Sequence, residues 1–150
     1  MRFYAVALLL QSVRFSVANL AHYQLADIND SQKRFNCYDQ IFGYRGLRGD
    51  HQDAYEKLRQ GLLTEITIPQ IESKIRNLPH GSKVMYKSSE QGVRYYEHST
   101  EGDGDENYFY TYVLIIDSRG HLSAILGKHI TVNIHSPSPR VVETFCTIVQ

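Results

Sequence analysis

The chain is poor in the features that announce a function most directly. Its 150 residues include only two cysteines, carry no net charge at pH 7 and contain no HExxH or paired Cys/His spacing. After the first ten residues no apolar run approaches membrane-spanning length. Each absence removes a class. Seven histidines without ligand spacing give no reason to expect a metal, and no cofactor motif is present. Without a stretch of about 20 apolar residues the chain is expected to be soluble, with no membrane partner. Without a basic excess it is not suited to bind RNA mainly through phosphates, although a local patch escapes that argument. Internal repeats and low-complexity tracts are also missing, and the length holds one domain.

What is present begins at the N-terminus. "MRFYAVALLLQSVRFSVANLA" is basic at Arg2, apolar from Phe3 to Leu10, and then turns to small residues. Ser16-Val17-Ala18 fits a small-x-small cleavage site, and Ala21 offers a second, so residues 1–21 read as a secretory signal peptide. Removing Arg2 and Arg14 leaves 14 basic residues against 16 acidic ones, a mature charge near −2. In an exported protein the isolated pair Cys37 and Cys146 is most simply a disulfide. It would close a loop of about 110 residues, a stabilisation of about 4–5 kcal/mol by chain entropy. Asn29-Asp30-Ser31 is a glycosylation acceptor pattern.

Residues 22–34 are polar and aperiodic, as expected of a flexible arm. "RFNCYDQIFGYRG" suggests two short strands in a hairpin. In "GDHQDAYEKLRQGLL", Ala54, Leu58 and Leu62 recur every four residues, with Asp50 and Asp53 early and Lys57 and Arg59 late. That pattern predicts an amphipathic helix ending near Gly61. The Arg-Gly-Asp triplet within Leu47 to Asp50 falls in its expected first turn, where capping is the simplest role. A second helix is signalled by the capping-box pair Thr67 and Gln70, by Pro69, and by Ile68, Ile71 and Ile75 on one face, with Pro79 and Gly81 beyond it. Five segments rich in Val, Ile, Tyr and Thr follow, separated by turns such as Ser118-Arg119-Gly120. The layout is α+β, a hairpin and a main helix followed by an antiparallel run. "EGDGDEN", Glu101 to Asn107, has calcium-loop spacing at Asp103, Asp105 and Asn107, but Tyr108 stands where the loop's glycine belongs. It reads as a solvated acidic connection.

The element order, the cysteines and several short motifs together resemble one family. Phe35-Asn36-Cys37 gives an aromatic-x-Cys motif early in the mature chain, and "VVETFCTIVQ" carries the partner cysteine. Over residues 35–150 the chain is similar to the small secreted fungal guanyl-specific ribonucleases. It is closer still to the ribonuclease-like secreted effectors of cereal powdery mildew fungi. The resemblance implies one main helix packed on a curved antiparallel sheet with one disulfide. It also implies a ribonuclease site. Leu78-Pro79-His80 stands where the enzymes carry Tyr-Pro-His, and Tyr95-Tyr96-Glu97 matches the motif whose carboxylate is the general base. "HLSAILGKH" resembles the segment ending in the general acid, placing Lys128 at that position and His129 one residue later.

RNA transphosphorylation needs a base for the 2′-OH, an acid for the leaving 5′-oxygen and cations around the phosphorane. A lysine, with a reference pKa near 10.4, is a poor acid at neutral pH, and adjacent strand residues face opposite ways. The enzymes' arginine on the long strand falls at Val113, and their phosphate-contacting tyrosine at Leu78. Their guanine-recognition run is replaced by Gly81 to Met85, which brings no carboxylate. His80, Glu97, Lys128 and His129 are therefore expected to be vestiges of a site, and no catalysis is expected.

The resemblance then implies a monomeric secreted effector delivered into plant host cells. There it would promote virulence by binding a host protein or RNA, and some such proteins are recognised by host immune receptors. Loops 43–50, 87–92, 101–107 and 133–140 are the expected carriers of that role. Two alternatives stand beside it. One is an active ribonuclease using His80, Glu97 and His129. The other is a non-cleaving RNA binder that stacks bases on Tyr95, Tyr96 and Tyr110.

Overall fold

The computed structural model describes residues 19–150, so the expected signal segment up to Ala18 lies outside the described residues. Eleven strands and two α-helices follow in the order β1 (Gln24–Ala26), β2 (Arg34–Cys37), β3 (Gln40–Gly43), α1 (Tyr44–Arg59), β4 (Thr64–Ile66), α2 (Ile68–Ile75), β5 (Met85–Lys87), β6 (Tyr95–Ser99), β7 (Asp103–Gly104), β8 (Tyr108–Asp117), β9 (Leu122–Thr131), β10 (Arg140–Phe145) and β11 (Thr147–Ile148). The main sheet runs β1-β5-β9-β8-β6-β4, with β10 on the far half of β9 and β7 on β8. A small sheet, β11-β2-β3, lies apart from it. The fold is α+β, as expected. The sheet, however, is mixed rather than antiparallel, because β1 pairs in parallel with β5.

The main sheet is buried on both faces, which explains the unbroken apolar runs in β8 and β9. On one face Val113, Ile115, Ala124 and Leu126 pack with Ile71 and Ile75 of α2, and with Leu20. On the other, Leu114, Ile116 and Ile125 pack with Leu47 and Ala54 of α1, and with Phe35 and Cys37 of the hairpin. These are called the α2 face and the α1 face below. Cys37 and Cys146 form the expected disulfide across 109 residues of sequence, tying β2 to the end of β10.

Two expectations need correction. The segment 22–34 is built into the fold rather than being a loose arm. A 3-10 turn at Leu20–Tyr23 precedes β1, and a second at Asp30–Gln32 precedes Lys33, which is only 1% exposed. The Lys33 ammonium lies 2.7 Å from both Asp27 and Asp30, donates to the Leu122 carbonyl at 2.6 Å and stands over the Tyr86 ring. Aperiodicity hid this strap because it is held by β1–β5 pairing, by Tyr23 and Leu25 against different cores and by one buried cation, not by a periodic apolar stripe. Asn29 is exposed and caps the second turn through Ser31. Leu20 is buried, so cleavage after Ala18 would keep a core residue that cleavage after Ala21 would remove.

The main helix also starts earlier than expected. α1 begins at Tyr44, so 43–50 is no loop, and Leu47 to Asp50 lies inside the helix rather than in its first turn. Gly43 is the N-cap, without a side-chain bond, and Leu62 falls beyond the C-terminus. Gly46 and Gly49 disguised the first turns, although Leu47, His51 and Ala54 give the buried face its helical spacing. α2 matches expectation at its start, where Thr67 and Gln70 form the reciprocal box. Ile71 and Ile75 are buried there, whereas Ile68 is exposed. At Ser118 to Gly120 the β8–β9 turn closes as expected, with Asp117 Oδ1 accepting from the Arg119 and His121 amides.

Candidate functional site

The strand register decides what the four ribonuclease-like positions can do together. Along β6, Tyr95 and Glu97 oppose Asp117 and Ile115 of β8, on the α2 face. Along β9, Lys128 opposes Thr111 and His129 opposes Tyr110. Alternation therefore places Lys128 on the α2 face and His129 on the α1 face. Glu97 and His129 leave the sheet in opposite directions. Lys128 shares the face of Glu97 but sits two strands across and four residues along, roughly 16 Å away at standard strand spacings.

Other partners occupy several of these groups. Lys128 lies 3.2 Å from Glu143 of β10, which also pairs with Lys74 of α2. Burial raises the pKa of Glu143, but hydrogen bonds from Lys74 and Lys128 outweigh it and hold the carboxyl below its usual range. His80 is exposed in the turn after α2. Val113, at the expected arginine position, is sealed in the core. His98, next to Glu97, faces α1, with Nε2 3.2 Å from Asp53. Burial pushes its pKa down and Lys57 adds to this, while Asp53 and Asp50 oppose it. The structure does not bring the four residues into one site.

A different constellation does converge, on the α1 face where β8 and β9 run beyond the helix. Tyr108, Tyr110 and Tyr112 are spaced by two along β8, so they share this face. His129 stacks on Tyr110 at 4.7 Å between ring centres, within 8° of parallel, and on Tyr108 at 5.7 Å. Its Nε2 is buried with no hydrogen-bond partner among the described residues. Phe42 of β3 lies against Tyr112 at 4.8 Å. Tyr38 completes the group, with its ring 5.6 Å from Tyr110 in an edge-on arrangement.

The local chain is bent to put Tyr38 there. Tyr38 and Asp39 make the two-residue turn of the β2–β3 hairpin, and both hold positive φ, 49° and 63°. Such turns match strand twist, but they favour Asn and Gly rather than a bulky ring. The ring rests on Gly127, where an added Cβ would come within 2.7 Å of it. Gly127 thus gives the phenol a flat seat on the sheet.

Together Tyr38, Gln40, Phe42, Asp103, Gly104, Tyr110 and Tyr112 line a groove of about 590 Å³. Burial pushes up the Tyr38 phenol, with Tyr112 and Tyr110 adding, and burial followed by Tyr110 and Asp103 does the same at Tyr112. Both phenols therefore keep their protons at physiological pH. The rim is acidic. Glu101, Asp103, Asp105 and Glu106 are all exposed within the β7–β8 hairpin and the segment leading into it. Asp105 accepts from the Asn107 and Tyr108 amides, which hold its carboxyl below the usual range and fix the hairpin. Among the described residues no arginine or lysine lines the groove. The arrangement can stack a flat group and accept hydrogen bonds from it, but it offers no cation for a phosphorane.

Of the tyrosines expected to stack bases, only Tyr110 lies here. Tyr95 is buried in the α2-face core, and Tyr96 packs against the α1-face core. Tyr38, Gln40 and Phe42 were not anticipated, whereas Asp103 lies in the 101–107 segment expected to carry binding. The two-residue spacing of Tyr108, Tyr110 and Tyr112 was the available signal, because it places three rings on one face of a strand. No family model, curated protein or solved structure matches the chain.

Proposed function

We propose that the chain is a secreted, non-catalytic effector with a ribonuclease-like fold, acting in a plant host by binding a host protein and so promoting virulence. The secretory and effector parts rest on the N-terminal pattern and on the family resemblance. The non-catalytic part rests on one observation: Glu97 and His129 lie on opposite faces of the sheet. A base and an acid that cannot reach one phosphate leave transphosphorylation without its proton transfers. Lys128 is no substitute, since it is paired with Glu143 and far from Glu97. The aromatic groove, whose Tyr38 and Tyr110 rings rest against His129, supports a binding role.

Cleavage of a fluorescent RNA by the purified, oxidised mature protein tests this reading, with a Glu97→Ala/His80→Ala variant alongside. We expect equal, background turnover from both. Turnover that disappears in the variant would make the chain an active ribonuclease and sink the proposal.

A further inference from the structure

We infer that the aromatic groove is a receptor for an arginine side chain presented by a partner protein, its guanidinium set against the Tyr38 and Tyr110 rings and paired with Asp103. The inference rests on the reading of the chain as a non-catalytic binding protein, and it names that protein's ligand chemistry.

Charge complementarity selects the occupant. Among the described residues the floor is aromatic, the one charged lining residue is Asp103, and no lining residue is basic. Tyrosine faces attract cations, and a desolvated site strengthens that attraction. Glu101, Asp105 and Glu106 neighbour Asp103 in the chain, are exposed, and have no basic residue among them. A planar guanidinium satisfies both demands, because it stacks on a ring with one face and donates to a carboxylate with its edge. An ammonium can pair with the carboxylate but cannot stack. A nucleic-acid strand fits less well. Its bases could stack, but its phosphates would meet the Asp103 carboxylate and, among the described residues, no lining cation. Arg140 stands on the same face two strands from Tyr108 and is not part of the lining.

The geometry also explains why Tyr38 is tolerated in a left-handed turn position. Its placement over Gly127 forms one wall of the groove, and a residue with easier backbone preferences would leave that wall open.

The test is an NMR titration of the mature oxidised protein with an end-capped Gly-Arg-Gly tripeptide. The neutral citrulline analogue and a single-stranded RNA hexamer are titrated in parallel. The arginine peptide should shift the ring signals of Tyr38, Tyr110 and Tyr112, with the citrulline peptide weaker by about tenfold. Asp103→Asn, an exposed change that leaves the fold intact, should weaken the arginine peptide by about threefold. Gly127→Val, which displaces the Tyr38 ring, should weaken it further. Equal binding of citrulline, indifference to Asp103→Asn, or tighter engagement of the same rings by the RNA hexamer would each overturn the assignment. Failure of arginine binding without RNA turnover removes this ligand alone. Turnover that depends on Glu97 removes the binding-protein reading beneath it.

Discussion

Tyr38 and Asp39 show how one turn joins strain to a binding surface. Left-handed backbone costs an ordinary residue roughly 1–2 kcal/mol, less for aspartate, and a hairpin turn of this kind would accept Asn-Gly without that cost. The pair persists because Tyr38 is held by Gly127, Tyr110 and His129. Asp39 has no such role, being exposed at the turn's second position with φ 63°. Asp39→Gly should therefore raise stability by about 0.5–1 kcal/mol in urea denaturation while leaving the groove's ring signals in place. A loss of stability would mean that Asp39 holds the turn through its side chain. His129 carries the complementary lesson. Its sequence position suggests a catalytic acid, but its face is set by strand alternation, which makes it an aromatic partner of Tyr108 and Tyr110.

At the scale of elements, the sequence was legible wherever a local rule was strong. The capping box opened α2, the Ser118 to Gly120 turn joined β8 to β9, and residues 35–43 made a hairpin. It was misleading wherever glycine or polarity masked a tertiary demand. Gly46 and Gly49 concealed the first turns of α1, and the polar stretch before β2 concealed a strand. That strap depends on Lys33, whose ammonium meets two carboxylates and a carbonyl in a space nearly closed to solvent. Lys33→Met fills a similar volume but leaves Asp27 and Asp30 without their cation. We expect a loss of about 3 kcal/mol, read by urea denaturation, and faster amide exchange confined first to β1 and β5. An unchanged midpoint would show that the strap is held by packing instead.

Across the whole molecule, a doubly covered sheet and one long-range disulfide divide structural work from binding work. Both cores lie along the halves of β8 and β9 nearest their turn, while the aromatic groove and Asp103 sit toward the other ends of those strands. The cysteine count alone made the disulfide readable, because two cysteines allow one pairing. The groove was not readable. It needs Tyr38 from the hairpin, Tyr110 and Tyr112 from β8 and Asp103 from β7, and their meeting depends on how a separate small sheet docks on the main one. Alternation and register within the main sheet, by contrast, take His129 out of reach of Glu97, and the account turns on that separation. It is measured most directly by spin labels at Glu97→Cys and His129→Cys, with the native disulfide intact, using pulsed electron paramagnetic resonance. Two strand spacings and five residues of rise put the backbones roughly 19 Å apart, and labels leaving opposite faces should read a distance beyond about 20 Å. A distance collapsing below about 15 Å would place both residues on one site and contradict the account.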